Sequence, residues 1–182
     1  MIATWFLLGF MFLATITDVK DQKIYNWTTY PGIIVALVLA AIGSTSGWTD
    51  IAIVDIGESL LGFLLAGGMM LLCFVLFQIG GGDVKLLAMV GAFLGPMAGI
   101  ETVLWTFVLG GATALIILIW RLGAVCLLRR IYQQVMNKLS IGKWGPLTEE
   151  ENRQLKMPLY LAPSAFLGVL VVRFSIIKEL IG

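Results

Sequence analysis

Carboxylates are nearly the only acid–base groups in this chain. Its 182 residues include 11 Asp and Glu and no histidine. A Ser-His-Asp triad, haem ligation through His and the His-containing zinc sites are therefore excluded. Two carboxylates stand out by their surroundings. Asp18 follows the uncharged stretch Ile2–Thr17, and Asp83 lies in Gly80-Gly81-Gly82-Asp83-Val84-Lys85 just before another such stretch. Ionisable groups at a membrane boundary are costly and so are functional candidates by default. Two carboxylates held a few ångströms apart do not easily both ionise, so one keeps a proton. The pair then offers a base and an acid together. The ionised member takes a proton from water, the protonated member gives one to a peptide carbonyl oxygen, and the resulting gem-diol collapses with cleavage of the amide. Glycines without side chains let an extended chain pass close to Asp83. The plainer readings are a helix cap or interface anchor for each Asp. A phosphate loop is a poor match to the glycines, because no Gly-Lys-Ser/Thr follows them.

The elements that must position these acids are membrane helices. Hydrophobic types make up 59% of the chain and charged types 13%, against ~45–50% and ~25% in soluble domains. So much apolar surface cannot be hidden inside a chain this short. Six stretches without Lys, Arg, Asp or Glu stand out: Ile2–Thr17, Tyr30–Trp48, Ser59–Ile79, Leu86–Ile100, Thr102–Trp120 and Met157–Val172. A bilayer core needs ~20 mainly apolar residues as helix, and lipid demands that every backbone polar group be paired internally. The expected fold is all-α: a polytopic bundle of about six transmembrane helices in one membrane-embedded domain over 1–182. Glu101 is the expected boundary between the fourth and fifth spans, and a re-entrant pair is the alternative there. The first stretch has no basic start and no small-x-small site after it, so it reads as a retained helix rather than a cleaved signal.

The basic residues set the expected orientation. Ten of the 12 Lys and Arg fall in segments 18–29, 80–85 and 121–156, and none in 49–58. The positive-inside rule makes the first three cytoplasmic, with both chain ends outward. Arg173 and Lys178 run against this assignment. The acids then sort by side. Asp50, Asp55, Glu58, Glu101 and Glu179 are outside, Glu149, Glu150 and Glu151 lie in a polar loop, and Asp18, Asp21 and Asp83 border the cytoplasmic face. The segment at about 121–156 reads as a basic loop or interfacial helix, a topology anchor first and a partner-holding surface second. The near-neutral formal charge of +1 gives no sign of a nucleic-acid partner. Cys73 and Cys126 belong to no C-x-x-C pair and read as packing residues. The glycines inside spans read as points of close helix approach.

The motif Gly80-x-Gly82-Asp83-x-Lys85-Leu86-x-Ala88, with Gly91 following, resembles the G-x-G-D region of type IV prepilin peptidases and archaeal preflagellin peptidases, which are membrane aspartic proteases. Asp18 followed by Lys23-Ile24-Tyr25-Asn26 resembles the family's first catalytic Asp region, commonly D-x(n)-R/K-I-P-N, with Tyr25 in place of the usual Pro. Met157-Pro158-Leu159-Tyr160-Leu161-Ala162-Pro163 resembles its closing helix. The two C-x-x-C pairs associated with N-methylation in long members are absent, so the chain looks like a short, peptidase-only form.

The resemblance implies catalytic Asp18 and Asp83, with Gly80, Gly82, Lys85 and Asn26 in motif and substrate-positioning roles. Lys85 orders the glycine turn or tunes Asp83, or simply marks the cytoplasmic side. Asp21 is the alternative to Asp18. No cofactor and no metal are implied. The implied substrate is a prepilin-like or preflagellin-like precursor with a short basic leader, a Gly before the cleaved bond and a hydrophobic helix after it. The implied place is the cytoplasmic (inner) membrane, with cleavage on the cytoplasmic side. Two other readings remain. A presenilin-like intramembrane protease shares G-x-G-D but pairs it with Tyr-Asp and Pro-Ala-Leu, whereas here Thr17 precedes Asp18 and Ser164 follows Pro163. A non-enzymatic component of a pilus or secretion assembly is the second; a charge midway in a span would favour transport, and none is present.

Overall fold

The computed structural model describes residues 2–46, 52–77, 80–122, 136 and 161–174. The described elements are α1 (Ile2–Asp21), α2 (Asn26–Ser46), α3 (Ile56–Phe77), α4 (Gly81–Leu94), α5 (Pro96–Leu122) and α6 (Leu161–Arg173), and among the described residues there is no strand. Among the described residues, four helices are long and apolar enough to cross a membrane: Ile2–Asp21, Asn26–Thr45, Ile56–Phe77 and Pro96–Trp120. The all-α bundle expected from composition is thus the observed architecture. Helices α4 and α6 are shorter, at 14 and 13 residues. At ~1.5 Å per residue α4 extends only about 21 Å, short of a ~30 Å hydrocarbon core.

The chain divides into two compact units, Met1–Gly110 with Tyr160–Gly182, and Gly111–Leu159. Within the first unit, α4 is the centre. Every residue from Leu86 to Leu94 is buried, and α1, α2, α3 and α6 all pack on it. Small residues make this possible. A Cβ on Gly62 would collide with the Gly91 carbonyl oxygen, and one on Gly91 with that of Gly62. Between apolar helices in lipid, such close backbone approach supplies the van der Waals contact that hydrophobicity cannot. Ser59 adds a polar tie, its Oγ donating to the Ala92 carbonyl at 2.6 Å. The outer faces carry exposed Trp5, Phe12, Ile34, Leu72 and Val75, as a lipid-facing surface requires. In the second unit the described residues are the last turns of α5 and Met136, with Leu115, Ile116 and Trp120 exposed. The basic segment 121–156 falls almost wholly outside the described residues.

One boundary differs from the sequence expectation. Helices α4 and α5 are separated at Gly95-Pro96, and Glu101 lies exposed inside α5. Gly95 adopts φ 83°, a left-handed conformation open to glycine, and its N–H closes α4 on the Gly91 carbonyl at 2.9 Å. Pro96 then opens α5 at the one position where a missing N–H costs nothing. A charge near a helix end does not stop a helix, whereas a Gly-Pro pair does.

Candidate active site

Asp18 lies in the last turn of α1 and is only 7% exposed. Its Oδ2 accepts a hydrogen bond from the backbone N–H of Ala162 at 3.0 Å. Ala162 is the second residue of α6, so the carboxylate meets the positive end of that helix, where N–H groups lack intrahelical partners. Below Asp18, the buried residues Ala3, Leu7, Met11 and Ala14 continue the inward face of α1. The helix ends at Gln22, whose φ of 53° places it in the left-handed region and whose N–H bonds the Asp18 carbonyl at 2.9 Å. A four-residue link, 22–25, leads to α2.

Asp83 lies in the first turn of α4, with its N–H donating to the Gly80 carbonyl at 3.1 Å. Its side chain is half-buried. Burial is the main influence on the carboxyl and the charge of Asp18 the second; a Gly80 backbone hydrogen bond opposes them, and together they push its pKa up to about 7. The structure therefore brings the two predicted acids into electrostatic contact, although 65 positions of sequence separate them.

The glycines have separate tasks. A Cβ on Gly80 would stand 2.9 Å from Asp83 Oδ2, and one on Gly82 would stand 2.9 Å from the Ile24 Cβ. Gly82 thus lets the α1–α2 link lie directly on the first turn of α4, and Ile24 packs on the core there. Gly81 is exposed, with nothing nearer a Cβ than a Phe74 ring atom at 3.9 Å. Gly80 and Gly81 are the exposed members of the three.

Lys85 and Asn26 meet as well. The ammonium donates to Asn26 Oδ1 at 2.8 Å and stands 5.0 Å from the centroid of the Tyr30 ring. Asn26 opens α2 and Tyr30 lies one turn further on the same face. Lys85 therefore ties α4 to α2. Asp21 is exposed and accepts a hydrogen bond from the Tyr25 hydroxyl at 3.2 Å. That bond closes the α1–α2 link at the position where the resembling family commonly has Pro.

Sequence reasoning missed three contributors. Tyr30 was detectable from its i+4 spacing to Asn26. Ile24 gave no signal beyond being apolar in a short link. The Ala162 N–H is a backbone group 144 positions from Asp18, and no side-chain pattern marks it. Among the described residues no group of three or more Asp, Glu or Cys is placed to hold a metal ion. An apolar hollow of about 320 Å³, lined by Trp5, Phe6, Gly9, Phe10 and Leu13, lies along α1 and includes none of these polar groups.

Residues 5–115 match the family model described as the type IV leader peptidase family. The matched stretch contains Asp18, Asn26, the glycine turn, Asp83 and Lys85. No curated protein and no solved structure matches the chain.

Proposed function

The chain belongs to the type IV leader peptidase family, and on that premise we propose that it is an aspartic endopeptidase whose hydrolytic pair is Asp18 and Asp83. It is a peptidase with several helices fit to cross a membrane. The single observation that carries the finer reading is the meeting of the two acids. One carboxyl is buried at the end of α1, the other sits in the glycine turn of α4, and burial together with the charge of the first raises the pKa of the second to about 7. A carboxyl with that pKa is near half-protonated at neutral pH, the condition a general acid needs.

In the proposed reaction the ionised carboxylate removes a proton from a water molecule as its oxygen adds to the scissile carbonyl carbon. The protonated carboxyl donates to the carbonyl oxygen. The gem-diol collapses as one of its hydroxyls returns a proton to the carboxylate that had donated, the C–N bond breaks, and the leaving nitrogen takes the proton that the base had removed from water. No metal or histidine enters these steps. The substrate proposed is a pilin-like precursor, cut between a short basic leader ending in Gly and the apolar helix that follows. Lys20, Lys23 and Lys85 cluster at the acid-bearing end of the sequence spans, and the positive-inside rule makes that end cytoplasmic. The site is accordingly proposed to face the cytoplasm at the inner membrane, with Gly80, Gly82, Lys85 and Asn26 ordering the turn that carries Asp83.

The test is processing of a co-expressed pilin-like precursor. Asp18→Asn and Asp83→Asn are each expected to abolish leader removal while the protein still accumulates in the membrane. A variant that cleaves at the normal rate removes its residue from the pair.

A further inference from the structure

We infer that the backbone N–H of Ala162 fixes which acid does what: it holds Asp18 as the ionised base, with Oδ1 turned to water, and leaves Asp83 to be the acid. The inference rests on the reading of Asp18 and Asp83 as the hydrolytic pair. A peptide N–H donates and cannot accept, so the oxygen it meets is stabilised as carboxylate. The bond at 3.0 Å occupies Oδ2 and is buried. It comes from the first turn of α6, so the partial positive charge of that helix end acts on the same oxygen. Oδ1 is then the oxygen left to remove the water proton. Asp83 lies in the first turn of α4 and also has a backbone hydrogen bond, from Gly80, but it is half-open beside Gly81, and burial with the charge of Asp18 outweighs that bond.

The other groups around Asp18 do not compete for this role. On α1, Lys20 and Asp21 follow it, and Asp21 is bonded to Tyr25. Lys23 stands in the link to α2. Helix α2 carries no charged residue, and its Tyr30 lies under Lys85. Helix α4 presents Asp83 and Lys85, the latter bonded to Asn26. The described part of α6 contributes Arg173 at its far end, donating to Thr4 Oγ1 at 3.2 Å. Ala162 is a positioning residue, since it acts through Asp18 and does not meet substrate.

The experiment is a pH–rate profile of the full chain in liposomes, cutting a peptide with a basic leader, a Gly and an apolar segment. Ala162→Pro deletes the N–H at a helix position that tolerates Pro. Loss of a hydrogen bond to a charged group makes ionisation of the base harder. The acid limb of the profile is expected to move up by about one pH unit, with about a tenfold loss of rate on that limb. The alkaline limb stays in place. Ala162→Gly keeps the N–H and is expected to keep the acid limb at the wild-type pH, whatever its rate. An unmoved acid limb in Ala162→Pro overturns the inference, and a moved alkaline limb assigns the roles the other way round. Should Ala162→Pro not accumulate, the amide resonance of Ala162 in the wild type decides the matter. It is expected to titrate with the acid limb, and a resonance that is flat there refutes the bond's role. If instead Asp18→Asn and Asp83→Asn both cleave while the Ala162 amide still titrates, the hydrolytic pair fails and the hydrogen bond stands.

Discussion

Asp18 at the end of α1 and Asp83 at the start of α4 are set in different surroundings. Asp18 is sealed in and given a donor from another helix. Asp83 is half-buried in a turn of three glycines, with the charge of Asp18 as its neighbour. A carboxylate tied to a backbone N–H is stabilised as the anion, and a second carboxyl beside that anion is driven to keep its proton. The contrast teaches that residue type does not assign a proton; the surroundings do. A second pair of helix contacts shows the same logic without chemistry. At the other end of α1, Thr4 accepts from Arg173 of α6 at 3.2 Å. That tie joins the same two helices about 21 Å away along α1, and it pairs a cation with a hydroxyl rather than two acids. A tie alone holds helices together, and a tie beside an excess charge prepares a reaction.

The comparison breaks hardest when one acid is removed. Each general acid or base contributes about 10²–10⁴-fold to rate. Because the two act as a unit, the Asp18→Asn/Asp83→Asn double variant is expected to lose no more activity than either single variant, measured as leader removal in membranes. A double loss equal to the product of the singles makes the two acids independent.

The turn that presents Asp83 comes next. Gly82→Val places a branched side chain where Ile24 already stands, since even a Cβ would sit 2.9 Å from the Ile24 Cβ. Overpacking of this kind costs about 1–3 kcal/mol. We expect at least about tenfold slower cleavage, partly restored by adding Ile24→Ala. Failure of that rescue puts the fault elsewhere than at the link.

The tie from α4 to α2 sharpens the comparison with a smaller effect. Lys85→Met removes the hydrogen bond to Asn26 and the cation over Tyr30. Together these are worth about 1–3 kcal/mol before solvent exposure reduces them. A rate loss of about fivefold is expected, with the alkaline limb of the pH profile unmoved, because the influences on Asp83 are burial, Asp18 and a Gly80 hydrogen bond. A moved limb makes Lys85 a tuning group rather than a tie. The smallest effect belongs to Asp21. It is exposed and bonded to Tyr25, so Asp21→Asn is expected to change cleavage less than about twofold. A loss comparable to that of Asp18→Asn exchanges the two residues' roles.

Much of this was legible before any coordinates. Absence of histidine left carboxylates to do the chemistry, and the uncharged stretches singled out Asp18 and Asp83 from eleven acids. The helical membrane bundle followed from composition and the pairing of backbone groups in lipid. The boundary between α4 and α5 did not. An apolar run broken only by Glu101 invites a division at the charge, while the backbone divides at Gly95-Pro96. Local stereochemistry outranks polarity there, and the Gly-Pro pair was the available signal. The partner of Asp18 was hidden for a different reason. It is a main-chain N–H at the start of a distant helix, and every residue but Pro has one. The close approach of Ile24 to the bare face of Gly82 is a long-range packing contact that the glycine run by itself does not reveal.

The central claim is that Asp83 holds a proton near neutrality because it is buried and because the charged Asp18 stands beside it. The direct measurement is infrared titration of the carboxyl band of Asp83 in the full chain, identified by its loss in Asp83→Asn. The account predicts a midpoint near pH 7 in the wild type and a lower midpoint in Asp18→Asn, where the neighbouring charge is gone. A wild-type midpoint near ~4, the ordinary carboxylate value, or one unmoved by Asp18→Asn, contradicts it.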